Sequence, residues 1–71
     1  MSNSVYRVLE VIGTSDKSFE DAAQAAIATA SRSLKDLRVA EVTKMDVTVD
    51  NGKIKQFRTR LNLSFKYHQE K

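Results

Sequence analysis

Cysteine is absent from these 71 residues, and with it any disulfide framework or thiolate metal site. Proline is absent too and only two glycines are present, so the elements should be long and the turns few. The aromatic content is two tyrosines and three phenylalanines, with no tryptophan. One domain near the lower size limit, with so little bulk and no staple, has a core worth roughly 3–5 kcal/mol. Assembly into an oligomer is one remedy for that shortfall. No apolar run approaches the length of a membrane span, and the start Met1-Ser2-Asn3-Ser4 is polar, unlike a signal peptide. The expectation is a soluble cytoplasmic protein with no membrane partner.

What is present is a run of strict alternation. Phe57, Thr59, Leu61, Leu63, Phe65 and Tyr67 interleave with Gln56, Arg58, Arg60, Asn62, Ser64 and Lys66. That is the period of a strand with one apolar and one polar face, and Thr59 is its one soft spot. We assign a strand to 53–67. Val5 to Gly13 is rich in strand formers and is read as a first strand, 5–13, closed by a turn at Gly13-Thr14-Ser15-Asp16. Ser18 fits a helix N-cap, with Asp21 at N3 of a capping box and Glu20 in the first turn. Phe19, Ala22, Ala23, Ala26, Ile27, Ala30 and Leu34 then recur at helical spacing, predicting an amphipathic helix over 18–36. Its alanine face can lie close against a sheet.

A further strand spans 37–50. Met45, Val47 and Val49 alternate with Asp46, Thr48 and Asp50, but Glu41 and Val42 are out of phase with them. A bulge between Glu41 and Lys44 repairs the phase. Asn51-Gly52 is the strongest short hairpin signal, so the last two strands pair antiparallel. The long helix returns the chain, so the first two strands run the same way and the last runs opposite to both. The predicted fold is α+β: a β-α-β-β protomer whose three-stranded antiparallel sheet, in order 1-3-2, packs on one long helix. Residues 1–71 form one domain with a tail at 68–71. The helix should cover the odd face of the last strand and leave the even face free.

The net charge is +3, unevenly spread. Residues 1–52 carry six Lys/Arg against eight Asp/Glu, and residues 53–71 carry six against one. A basic strand can attract phosphate, but no nucleic-acid motif accompanies it, and a solvated or subunit-facing polar face explains the charge better. Nucleic acid is therefore not expected as a partner. No catalytic constellation is evident: the single histidine, His68, sits in the tail without a partner, and no serine or threonine lies in a nucleophile motif. The chain is not expected to be an enzyme. Asp46, Thr48 and Asp50 share a strand face and offer oxygen ligands suited to calcium or magnesium. At ~7 Å spacing they make no compact site unless symmetry brings copies together.

The order, spacing and length of these features resemble the dodecin family over nearly the whole chain. The matching residues are Val5-Tyr6-Arg7-Val8, Ile12-Gly13-Thr14-Ser15, the alanine-rich helix, Leu37, Glu41-Val42, Asn51-Gly52-Lys53-Ile54 and Leu63-Ser64-Phe65. The resemblance implies a hollow homododecamer that stores or buffers flavin, riboflavin or FMN, in pockets between subunits. Three positions depart from the flavin-binding pattern. Val39 stands where those members stack a tryptophan, Arg58 where they hold a glutamine, and Asp46 where phosphate-flavin binders use an arginine. Lys66 keeps a charge at another basic position of the family. Arg38-Val39-Ala40, Asp46 and Arg58 are more similar to a subgroup known as calcium dodecin. The resemblance therefore implies a ligand-storing cage with weakened or lost flavin binding and a place for a cation; the alternative is flavin storage as in typical members. Val39, Arg58 and Lys66 are the candidate pocket residues, and Asp46 and Glu41 the candidate cation ligands.

Overall fold

The computed structural model describes residues 3–67. The chain forms β1 (Tyr6–Ser15), α1 (Phe19–Ser31), β2 (Leu37–Asp50) and β3 (Lys53–Lys66). The strands make one antiparallel sheet in the expected order β1-β3-β2, with α1 on one face. β3 is central, and its helix-facing row is apolar except at Thr59. Leu61 and Leu63 are buried there against Ala26, with Val11, Ile27 and Leu34 packed around them. Thr59 is buried among them, and its hydroxyl donates to the Phe19 carbonyl oxygen at 2.8 Å. A polar side chain in a small core is tolerated when it is hydrogen-bonded in this way.

Several boundaries differ from expectation. The helix ends at Ser31 with Arg32 as its C-cap, not at 36. Ser31 and Ser33 favour helix weakly, and the chain must drop to the sheet. Asp36 does this with φ 57, a left-handed conformation that aspartate accepts more readily than most residues. Leu34 still reaches the core, from outside the helix. The first strand runs through Gly13 to Ser15, which pair with Thr59 to Phe57, so Gly13 marks a close approach of backbones and not the turn. β3 ends at Lys66, although Tyr67 N–H still bonds the Val5 carbonyl at 2.8 Å. The capping box is completed indirectly. Ser18 Oγ accepts from Asp21 N–H at 2.9 Å, but the Asp21 carboxylate takes the Ser15 hydroxyl at 2.7 Å, and that hydroxyl oxygen accepts from Lys17 N–H.

The bulge falls where the phase requires it, between Val42 and Lys44, with the Thr43 hydroxyl bonded to the Arg60 carbonyl at 3.2 Å. A further irregularity lies opposite Thr48 and Val49, which pair with Gln56 and Ile54, so Lys55 is the extra residue and it belongs to β3. Asn51 and Gly52, at φ 54 and 77, make the two-residue turn.

The helix rests on β1 and β3 and barely reaches β2. Val42 and Met45, on the helix side of β2, therefore stay exposed. The chain measures 55 × 20 × 15 Å and exposes 5675 Å². A monomeric globular protein of 8.0 kDa exposes roughly 4,500 Å².

Candidate functional site on the helix-free face

Every even-numbered residue of β3 from Arg58 to Lys66 projects away from α1, and register decides its company. From β1, Thr14, Ile12, Glu10, Val8 and Tyr6 stand opposite Arg58, Arg60, Asn62, Ser64 and Lys66 in turn. From β2, Asp46, Lys44, Glu41 and Val39 stand opposite Arg58, Arg60, Asn62 and Ser64. The face is polar along its middle, with apolar Val8, Ile12 and Val39 exposed on either side.

Asp46 and Arg58 meet in a bidentate pair, Nε to Oδ1 at 2.7 Å and Nη2 to Oδ2 at 3.0 Å. Two parallel charge-assisted bonds fix the guanidinium in plane with the carboxylate. Hydrogen bonding from Arg58 holds the Asp46 carboxyl below its usual range, against a smaller opposing effect of desolvation; the charges of Arg60 and Lys44 add to the lowering. The carboxylate in turn raises Arg58. A depressed carboxyl contributes stability that is present above its ordinary value and is lost as pH falls through the depressed one. We therefore expect native protein and Asp46→Asn to differ in thermal midpoint at neutral pH, and the gap to close as pH falls below the ordinary carboxylate range. The gap should narrow in high salt, because both groups are partly solvated. A gap that does not narrow at all down the acid limb would show that Asp46 acts by shape and not by charge.

The candidate residues fall into two groups. Val39, Glu41 and Lys66 lie toward one end, around Ser64, while Asp46 and Arg58 lie toward the other. Six residues separate Arg58 from Ser64, or ~20 Å along the strand, and Lys66 lies ~27 Å away. One chain does not bring Val39, Lys66 and Arg58 onto one small ligand. Glu41 stands in a row that the linear sequence does not display: Glu10 and Glu41 flank Asn62 from opposite sides. Strand order and parity together are the signal that finds Glu10 and Asn62. For a hard cation this row supplies oxygen donors, whereas both Asp46 oxygens are held by Arg58. Among the described residues no three acidic or histidine side chains gather into a complete metal site. His68 lies outside the described residues. A groove of about 480 Å³ of mixed polarity opens between β1 and α1, lined by Leu9, Val11, Thr14, Ala26, Thr29 and Ser33 among others, and contains none of the candidate residues. Among the described residues no helix is long and apolar enough to cross a membrane.

A long hairpin completed by an edge strand, with one short alanine-rich helix on one face and a charged, register-matched other face, defines a two-layer β-α-β-β domain. The chain belongs to the dodecin family, whose model, described as Dodecin, matches residues 5–68. It is 48% identical over 64 residues to the protein named calcium dodecin of Mycobacterium tuberculosis, covering 89% of each chain. Its fold superposes on the dodecin of Streptomyces coelicolor with a TM-score of 0.92 at 34% identity, covering 99% of this chain and 100% of that one. A solved structure of the M. tuberculosis calcium dodecin, described as calcium-chelating with a novel calcium-binding site, matches at TM-score 0.83 and 41% identity, covering 96% and 97%.

Proposed function

We propose that residues 1–71 form one dodecin-like domain that assembles as a cytoplasmic homododecamer and binds small ligands without turning them over. In this reading tight flavin binding is weakened or lost, and the assembly holds a hard cation or another small molecule. The observation that carries it is the Asp46–Arg58 clamp. The arginine that replaces the ring-binding glutamine has its Nε and Nη2 donors committed inside the chain. Val39, in place of the stacking tryptophan, offers no π surface. The ~20 Å between Val39 and Arg58 supports a pocket built from more than one copy. So does the excess exposed surface, with Val42, Met45, Val49 and Ile54 all uncovered. Likeness to a calcium dodecin supports a cation, with Glu41, Glu10 and Asn62 better placed than Asp46 to contribute ligands once copies meet.

The test is a titration of riboflavin and FMN with the size-checked assembly, followed by calcium and magnesium calorimetry. We expect unchanged flavin fluorescence and calcium heats that Glu41→Gln diminishes. Micromolar flavin binding with strong quenching would restore the flavin-storage role and make Arg58 a substitute for glutamine.

A further inference from the structure

The clamp has a second side. Asp46 faces three cations: Arg58 directly across the strands, Arg60 diagonally, and Lys44 two residues before it on the same face. Lys44 and Arg60 are themselves directly opposite, and like charges so placed destabilise a sheet. Among the described residues Arg60 makes one ion pair, a long one at 3.9 Å to Glu10. Among the described residues no carboxylate stands within ion-pair distance of Lys44. The Asp46 carboxylate thus sits as a bound oxyanion would, with two oxygens on one guanidinium fork and two further cations alongside.

We infer that Lys44, Arg58 and Arg60 form an oxyanion site on the helix-free face, which the chain occupies with its own Asp46 carboxylate. The ligand class is a phosphate, sulfate or carboxylate group with at least two free oxygens. A carboxylate tethered to the facing strand has a high effective concentration, so it excludes free oxyanions that offer no more than it does. Removal of the carboxylate opens the site. Asp46 is then a specificity-determining residue, one that turns anions away from a face rich in arginine. The inference is independent of the flavin and calcium readings, since it concerns inorganic oxyanions and is measured without either ligand.

The test compares native protein, Asp46→Ala and Asp46→Ala/Arg58→Gln as assembled protein, titrated with sodium sulfate at low millimolar concentration. Chloride serves as the control at matched ionic strength. Calorimetry should show sulfate binding to Asp46→Ala at least tenfold tighter than to native protein, with a sulfate-specific rise in thermal midpoint that the double variant lacks. Equal binding to native protein and Asp46→Ala would overturn the inference, as would retention of binding in the double variant. Should Asp46→Ala fail to assemble in chloride, it is refolded in sulfate. Recovery there but not in chloride supports the site, and failure in both overturns it.

Discussion

Gly13→Ala should cost the protomer at least about 3 kcal/mol, enough to consume most of the stability a core of this size provides. A Cβ at Gly13 would overlap the Ala22 carbonyl oxygen, and would lie 2.9 Å from the Ala22 carbonyl carbon and 3.0 Å from the Ala26 Cβ. The nearest obstacles are backbone atoms of α1, so no side chain can swing aside. The helix would have to lift from β1, and lifting it uncovers Leu61 and Leu63, the two bulkiest apolar side chains of the core. Gly52→Ala provides the control. There the backbone is at φ 77 with nothing within 4 Å of the new methyl, so the cost is conformational alone, about 1 kcal/mol. Denaturant unfolding with light scattering should show Gly13→Ala far below Gly52→Ala in both stability and assembly. Equal midpoints for the two would mean that α1 sits farther from β1 than the structure places it.

Val39→Trp combined with Arg58→Gln should raise riboflavin affinity by roughly 30- to 1000-fold. An indole covering about 100 Å² of a flat ring contributes about 2.5 kcal/mol through burial, and stacking adds about 0.5–1.5 kcal/mol; ordering the indole costs up to about 1 kcal/mol, and the net gain of about 2–4 kcal/mol corresponds to that range of affinity. Val39 is 55% exposed on the helix-free face, so its own chain leaves an indole open space on that side. Arg58→Gln ends the competition of Asp46 for the ring's partner and returns an amide that both donates and accepts. Flavin fluorescence quenching by the intact assembly is the readout. No gain from the double variant would show that Val39 and Arg58 do not line a common pocket in the assembly.

Much of the fold could be read along the chain, because local patterns carry it. The alternation of β3, Asn51-Gly52, the Ser18 cap and the phase break after Glu41 each depend on neighbouring residues only. Strand order then followed from direction alone, and the structure has that order. The helix end was not legible, since Leu34 continues the apolar spacing while the chain has already left the helix to reach β2.

The candidate site was legible as residue types and not as an arrangement. Val39, Glu41, Asp46, Arg58 and Lys66 could be picked out one by one, but whether they meet depends on cross-strand register. A single extra residue, Thr43 at the bulge, sets which β2 side chains face Arg58 and Arg60. It puts Asp46 on Arg58, and the same register sets Val39 ~20 Å from that arginine. Glu10 joined Asn62 and Glu41 only when β1 took its place beside β3. The sequence by itself determined the elements, their order and the faces of β3, because periodicity and turn chemistry are local. Only the tertiary structure decided that Arg58 is clamped and that Gly13 admits no side chain. Both depend on the distance between strands and helix remote in sequence, which no local pattern encodes.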